Sequence, residues 1–216
     1  MGVMFGISNF DGMIKELEQQ GENAKKVIKK TTDDARKRVP VWVAAEVSKV
    51  YGIKKAEITG QKVGKVRDSG NRFDRLKFTY TGRALTHTHF SMSPKVPNEG
   101  GSYTLKASIL KGQRTVLGKV KKLTKKQRKD LGQNFRRNGQ QRSDHSPIML
   151  MRANGGHYIP FQRKSHKRND IEAVKAISLP QMISSQRTAG TIYPTISSGV
   201  EKRFRYYTLK YMDLDD

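Results

Sequence analysis

Apolar and polar residues recur along the chain with two different periods, and each stretch of constant period predicts an element. Between residues 11 and 51 the small or apolar positions Ile14, Leu17, Gly21, Ala24, Ile28, Thr31 and Ala35 step by three and four, which lines one face of an α-helix. Asp11 stands where an N-cap belongs, just ahead of Met13, Ile14 and Leu17. A helix from Asp11 to Val39 would be about 44 Å long at ~1.5 Å per residue. Pro40 is expected to kink or restart it. Val41, Trp42, Ala44, Ala45, Val47 and Val50 then carry the pattern to Tyr51, with Gly52 as a C-terminal cap. The seam is thin, and Gly21 and Thr31 interrupt it. It makes a weak coiled coil but a reasonable docking face, so Ile14, Leu17, Ala24, Ile28 and Ala35 are expected at a subunit interface.

After Gly52 the period changes. Residues 54–58 have room for one more helical turn. The segment from Gly60 to Ser93 is broken by glycines and alternates, placing Leu76, Phe78 and Tyr80 on one strand face. Tyr103 to Leu110 reads as a strand, and Lys111-Gly-Gln as a turn into Arg114-Thr-Val-Leu-Gly. Ile148 to Ala153 and His157 to Arg163 form a hairpin about Asn154-Gly-Gly, with Pro160 marking its second strand as an edge or a bulge. Ile171 to Leu179 continues as a strand or a short strand entering a loop. Pro180-Gln-Met-Ile opens toward a last helix, where Ile196, Val200, Phe204, Tyr207 and Tyr211 lie at helical spacing between Pro194 and Met212. This helix is expected to cover strands carrying Leu76, Phe78, Tyr103, Leu105, Met149 and Met151. The predicted fold is α+β: a long N-terminal helix, a small, mainly antiparallel β-sheet and a C-terminal helix packed on it, in one domain spanning 1–216.

Charge changes the picture most. Lys and Arg number 43 against 19 acids, a formal net charge of +24 in 216 residues. Dispersal alone needs far less, so a polyanion or an acidic partner is expected beside the chain. Residues 119–146 concentrate this charge. Lys119, Lys121, Lys122, Lys125, Lys126, Arg128, Lys129, Arg136, Arg137 and Arg142 face only Asp130 and Asp144. The segment reads as a basic loop or an arm that orders on a partner, with Lys121, Lys122, Lys125, Lys126, Arg128, Lys129, Arg136 and Arg137 as candidate contacts to DNA or another partner. Cysteine is absent, which excludes a disulfide framework and a thiolate zinc site. No apolar run approaches the ~18 residues of a membrane span, and the N-terminus lacks a signal-peptide pattern. The chain is therefore expected to be made and used in a cytosol, with no membrane partner.

Catalytic chemistry is not signalled. His87 and His89 alternate along an expected strand, but no further metal ligand stands near them. No phosphate-binding loop, dinucleotide fingerprint or nucleophile elbow occurs, and the acids are scattered. Neither an enzymatic activity nor a cofactor is expected. Trp42, the sole tryptophan, is expected in the core.

The order of segments is familiar. A basic helix containing Lys30-Thr-Thr-Asp-Asp-Ala-Arg leads into Glu46-Val-Ser-Lys-Val-Tyr-Gly-Ile-Lys-Lys-Ala-Glu-Ile, and a small β region follows. Met151-Arg-Ala-Asn-Gly-Gly-His-Tyr-Ile-Pro-Phe-Gln-Arg-Lys precedes Ile177-Ser-Leu-Pro-Gln-Met-Ile and a final helix with Val200-Glu-Lys-Arg-Phe-Arg-Tyr-Tyr. Over residues 28–212 this resembles the minor tail protein Z family of long-tailed bacteriophages. The resemblance departs at Pro40 and at the basic insert near 119–146. It implies a non-enzymatic virion protein, assembled in the host cytoplasm, that completes the head-proximal end of the tail at the head–tail junction. Its implied partners are other tail and neck proteins, further copies of itself in a homo-oligomeric ring, most simply a hexamer, and genomic DNA in the channel. Six copies would carry far more positive charge than the roughly 24 phosphates of a ~40 Å duplex can balance, so much of the basic surface must face acidic neighbours or solvent. The competing reading is a basic nucleic-acid-binding protein, ribosome- or nucleoid-associated, that contacts the phosphate backbone rather than the bases.

Overall fold

The computed structural model describes residues 2–6, 21–98, 101–120, 148–153, 156–164 and 170–212. The fold is α+β, with a long N-terminal helix, antiparallel strands and a long C-terminal helix. Whereas the sequence suggests one domain over 1–216, the chain divides into two compact units. The first holds Met1–Val50, Lys54–Arg83 and Ile177–Asp216; the second holds Tyr51–Ile53 and Ala84–Ala176.

The first unit is built on two long helices. Helix α1, Glu22–Val50, buries Ala24, Val27, Ile28, Thr31, Thr32, Ala35, Val39, Val43, Ala44, Glu46 and Val47. From Ala24 onward this is the apolar stripe that the spacing predicts, widened beyond the seam; Gly21, expected within the helix, stands ahead of it at φ +87°, and the expected start at Asp11 lies outside the described residues. Thr32 serves the stripe because its hydroxyl donates to the Ile28 carbonyl at 2.7 Å, which satisfies its polar atom in the core. Pro40 neither ends nor restarts the helix, which runs through it. Helix α4, Gln186–Met212, likewise contains Pro194. Pro194 and Gly190, whose carbonyl loses its helical donor, are both exposed, so that carbonyl is not stranded in the core.

Helix α4 buries Thr188, Ile192, Ile196, Val200 and Phe204, one residue in four. It runs antiparallel to α1: Arg203 meets Asp34, while Gly199 lies against Trp42. A Cβ on Gly199 would stand 2.6 Å from Trp42 Cη2 and under 3 Å from two further ring atoms, so the indole packs only because residue 199 has no side chain. The main partner of α4 is thus α1. The ring of Phe204 also meets that of Phe73, with centroids 5.4 Å apart.

Strands β1 (Gly2–Gly6), β2 (Lys65–Ser69) and β3 (Lys77–Thr81) form a sheet in the order β1-β3-β2. Tyr80 is opposite Val3 on one side and Val66 on the other. Phe78 and Tyr80 point inward, as the alternation predicts, and Leu76 is buried just ahead of them. The short helix α2, Lys55–Thr59, is the expected extra turn. Helix α3, Leu179–Ser184, opens with a capping box: the Ser178 side chain accepts from the Gln181 backbone N–H, and the Ser178 N–H donates to Gln181 Oε1 at 2.8 Å.

The second unit contains a two-stranded sheet, β4 (Tyr103–Ala107) with β5 (Thr115–Val120), and a three-stranded sheet of β6 (Met149–Arg152), β7 (Tyr158–Arg163) and β8 (Ile171–Ala173). Met92, Leu105 and Ile148 form a small core, flanked by Leu117, Val120, Leu150 and Val174. Gly52 serves a purpose other than helix capping. A Cβ there would lie 1.9 Å from the Ser108 carbonyl oxygen, while its N–H donates to Ile109 O at 3.0 Å. Backbone meets backbone too closely for any side chain.

Pro160 corrects the sequence reading more sharply. It lies in β7, the central strand of its sheet, not on an edge. Its carbonyl accepts from the Val174 N–H at 2.8 Å, but proline has no N–H to return. The Val174 carbonyl is engaged instead by the His87 ring, whose Nδ1 lies 3.0 Å away. A carbonyl can only accept, so Nδ1 carries the proton. The histidine replaces the ladder bond that proline cannot make.

Candidate interaction surface

The eight candidate contacts Lys121, Lys122, Lys125, Lys126, Arg128, Lys129, Arg136 and Arg137 lie outside the described residues, as do Ile14 and Leu17. Ala24, Ile28 and Ala35 are described, and they are not an open docking face. They are 0%, 8% and 1% exposed within the chain itself. Helical spacing makes a buried stripe whatever covers it, and here the cover is intramolecular.

The opposite side of α1 carries charge. Lys26, Lys29, Lys30 and Lys37 are exposed and fall within one side of the helix at ~100° per residue. No acid among the described residues pairs with them, because the nearby acids are engaged elsewhere. Glu22 holds Lys25 at 2.8 Å. Asp68 lies 3.1 Å and Asp33 3.9 Å from Arg36, and Asp34 is bound by Arg38 and Arg203. The same economy holds elsewhere: Glu46 takes Lys49, Asp74 takes Arg72, Glu172 takes Lys164 and Glu201 takes Arg205. Among the described residues, the excess of cations therefore has few counter-charges left. Beside the stripe, Lys25, Ile28, Lys29, Thr32, Asp33, Arg36 and Asn71 line an open groove of about 620 Å³. Arg36 also donates to the Gly70 carbonyl at 2.6 Å, which fixes one wall. The signal for this stripe is present in the sequence as the pairs Lys25-Lys26 and Lys29-Lys30 and the run Arg36-Lys37-Arg38, but the denser block at 119–146 draws attention away from it.

Asp34 is the electrostatic node between α1 and α4. Burial alone would raise its carboxyl, but hydrogen bonds from Arg38 and Arg203 outweigh that and hold it below the ordinary value. The Tyr207 hydroxyl adds a contact at 3.4 Å. Beyond this node the last turns of α4 hold an aromatic and cationic array. The Arg203 guanidinium lies 4.8 Å from the centroid of Tyr206 and 5.3 Å from that of Tyr207. Lys210 lies 5.9 Å from Tyr206 and 5.8 Å from Tyr211.

The histidines do not gather. His87 and His89 lie in a 3₁₀ turn, His87–Phe90, rather than on a strand. Among the described residues no group of three or more His, Asp or Glu side chains is placed to hold a metal ion. No described helix is long and apolar enough to cross a membrane. His87 is 3% exposed, and its burial lowers its pKa despite the Val174 bond. The folded state thus resists protonation more than the unfolded chain does. The resulting stability is complete above the unfolded value of about 6.5 and is lost as pH falls from there toward the folded value. The thermal midpoint of the protein is expected to drop between pH 7.5 and pH 5.5, and His87→Asn, which keeps a donor near Nδ1 but cannot titrate, should flatten that drop. Equal drops in both proteins would remove His87 as the titrating group.

No protein-family model matches the chain, and neither the curated proteins nor the solved structures contain a match to it.

Proposed function

We propose that this chain is a structural, non-enzymatic component of a long-tailed bacteriophage, completing the head-proximal end of the tail as a ring about the DNA channel. The observation that carries the proposal is the order of its segments, above all Tyr51-Gly52-Ile53 followed by Ile177-Ser-Leu-Pro-Gln-Met-Ile. Each of the two is a defined structural device. Gly52 permits a backbone approach that no other residue allows, and Ser178 with Gln181 forms a capping box. The charge supports the same reading. The Lys26, Lys29, Lys30 and Lys37 stripe lacks acid partners among the described residues, and it suits a phosphate backbone, which needs cations but no base-reading side chains. Tail and neck proteins, further copies of the chain and the passing duplex are the partners proposed.

Native mass spectrometry of the purified protein, alone and with tail tubes assembled without it, tests the proposal. A closed oligomer, six copies in the simplest case, on the tube ends is expected. A persistent monomer that leaves tubes untouched yet binds free duplex with a steep salt dependence would favour the nucleic-acid-binding reading instead.

A further inference from the structure

We infer that the solvent face of the last turns of α4, formed by Lys202, Arg203, Tyr206, Leu209 and Lys210, docks a different protein whose surface presents acids around an apolar pocket. Lys202, Tyr206 and Lys210 step by four and Arg203, Tyr206 and Leu209 by three, so all five share one side of the helix. Tyr206 is 47% exposed and Leu209 54%, so two large side chains of this face stand in water, with Tyr206 at its centre. The tyrosine is held in place: Arg203 lies over its ring at 4.8 Å and Lys210 at 5.9 Å, and Arg203 is itself tied to Asp34 of α1. A rigid aromatic flanked by cations is the composition of an interface anchor, which loses little freedom on binding.

Three observations select the occupant. The exposed Leu209 has nothing to gain from a phosphate backbone, and cations already stand over Tyr206, where a nucleic-acid base would stack. Lys202 and Lys210 have no acid partner among the described residues, since Glu201 pairs with Arg205 at 2.7 Å, so a complementary surface that carries carboxylates suits this face. A second copy fits this face poorly, because it brings another +24 of charge. The inference does not depend on the tail assignment.

The test places a photo-cross-linking benzoylphenylalanine at Leu209, or as a control at the 52% exposed Tyr193, in the full chain expressed where it is naturally made. Tyr193 lies about 140° around the helix from Tyr206. The Leu209 probe is expected to give one cross-linked protein other than the chain itself, with mass spectrometry mapping the link to an Asp- and Glu-rich segment. Charge reversal by Lys202→Glu with Lys210→Glu should cut the yield at least about tenfold, with circular dichroism unchanged, and the Tyr193 probe should not give this product. Cross-links to nucleic acid, to a second copy or within the same chain, a yield indifferent to charge reversal, or no cross-link would each overturn the inference. Absence of the chain from phage particles alongside the expected cross-link would defeat the tail proposal and leave this one standing.

Discussion

Truncating Phe204 to alanine is expected to destabilise the first unit by about 3–5 kcal/mol. Phe204 is 3% exposed, and its ring packs on Phe73, which is fully buried. It also closes the buried stripe that begins at Thr188 and continues through Ile192, Ile196 and Val200. Removing the ring leaves a cavity at the meeting point of α4 and the turn ahead of β3, where the long helices have little freedom to collapse. Such a loss is a large share of the ~5–15 kcal/mol that holds a typical domain together. Denaturant unfolding of the purified variant measures it. An unchanged midpoint would mean that Phe204 contributes to a subunit contact rather than to the core.

The second large effect is expected from Ala35→Asp. Ala35 is 1% exposed on the buried side of α1. The neighbouring Asp34 already engages Arg38 and Arg203, so a new carboxylate there would be crowded and without a cation of its own. An uncompensated buried charge costs about 3–5 kcal/mol, and the variant is expected to be largely unfolded or trapped in inclusion bodies. Had the seam been an open subunit interface, the same change would leave a folded monomer that fails to assemble. Thermal unfolding together with size-exclusion chromatography separates the two outcomes.

The helices and the strand alternation were legible in the sequence because they depend on local spacing. Ala24, Ile28, Thr31 and Ala35 lie on one face whichever surface covers them, and Phe78 and Tyr80 must share a side of any strand. What spacing cannot specify is the cover. Spacing alone presents the stripe on α1 as an interface, because the partner that hides much of it, α4, begins 136 residues after α1 ends. Strand β1 was missed for a similar reason. Gly2-Val-Met-Phe-Gly is short and bounded by glycines, and its pairing with β3 is made more than seventy residues away. The prolines misled because the rule against them is local while the remedy is not. Pro194 is tolerated where the freed carbonyl is exposed, and Pro160 enters a central strand because His87 occupies the carbonyl it leaves vacant. Of the candidate contacts, the basic block was conspicuous by density. The α1 stripe needed the structure, which shows that the acids interspersed with its lysines are already taken.

Imaging whole particles in which this chain carries a gold-binding tag tests the central proposal most directly. The account predicts label at the head-proximal end of the tail, in every filled particle, with ring symmetry in averaged views down the tail axis. Label along the tail tube, at its distal tip or nowhere in the particle, with the protein instead recovered on nucleic acid in the host cell, would contradict it.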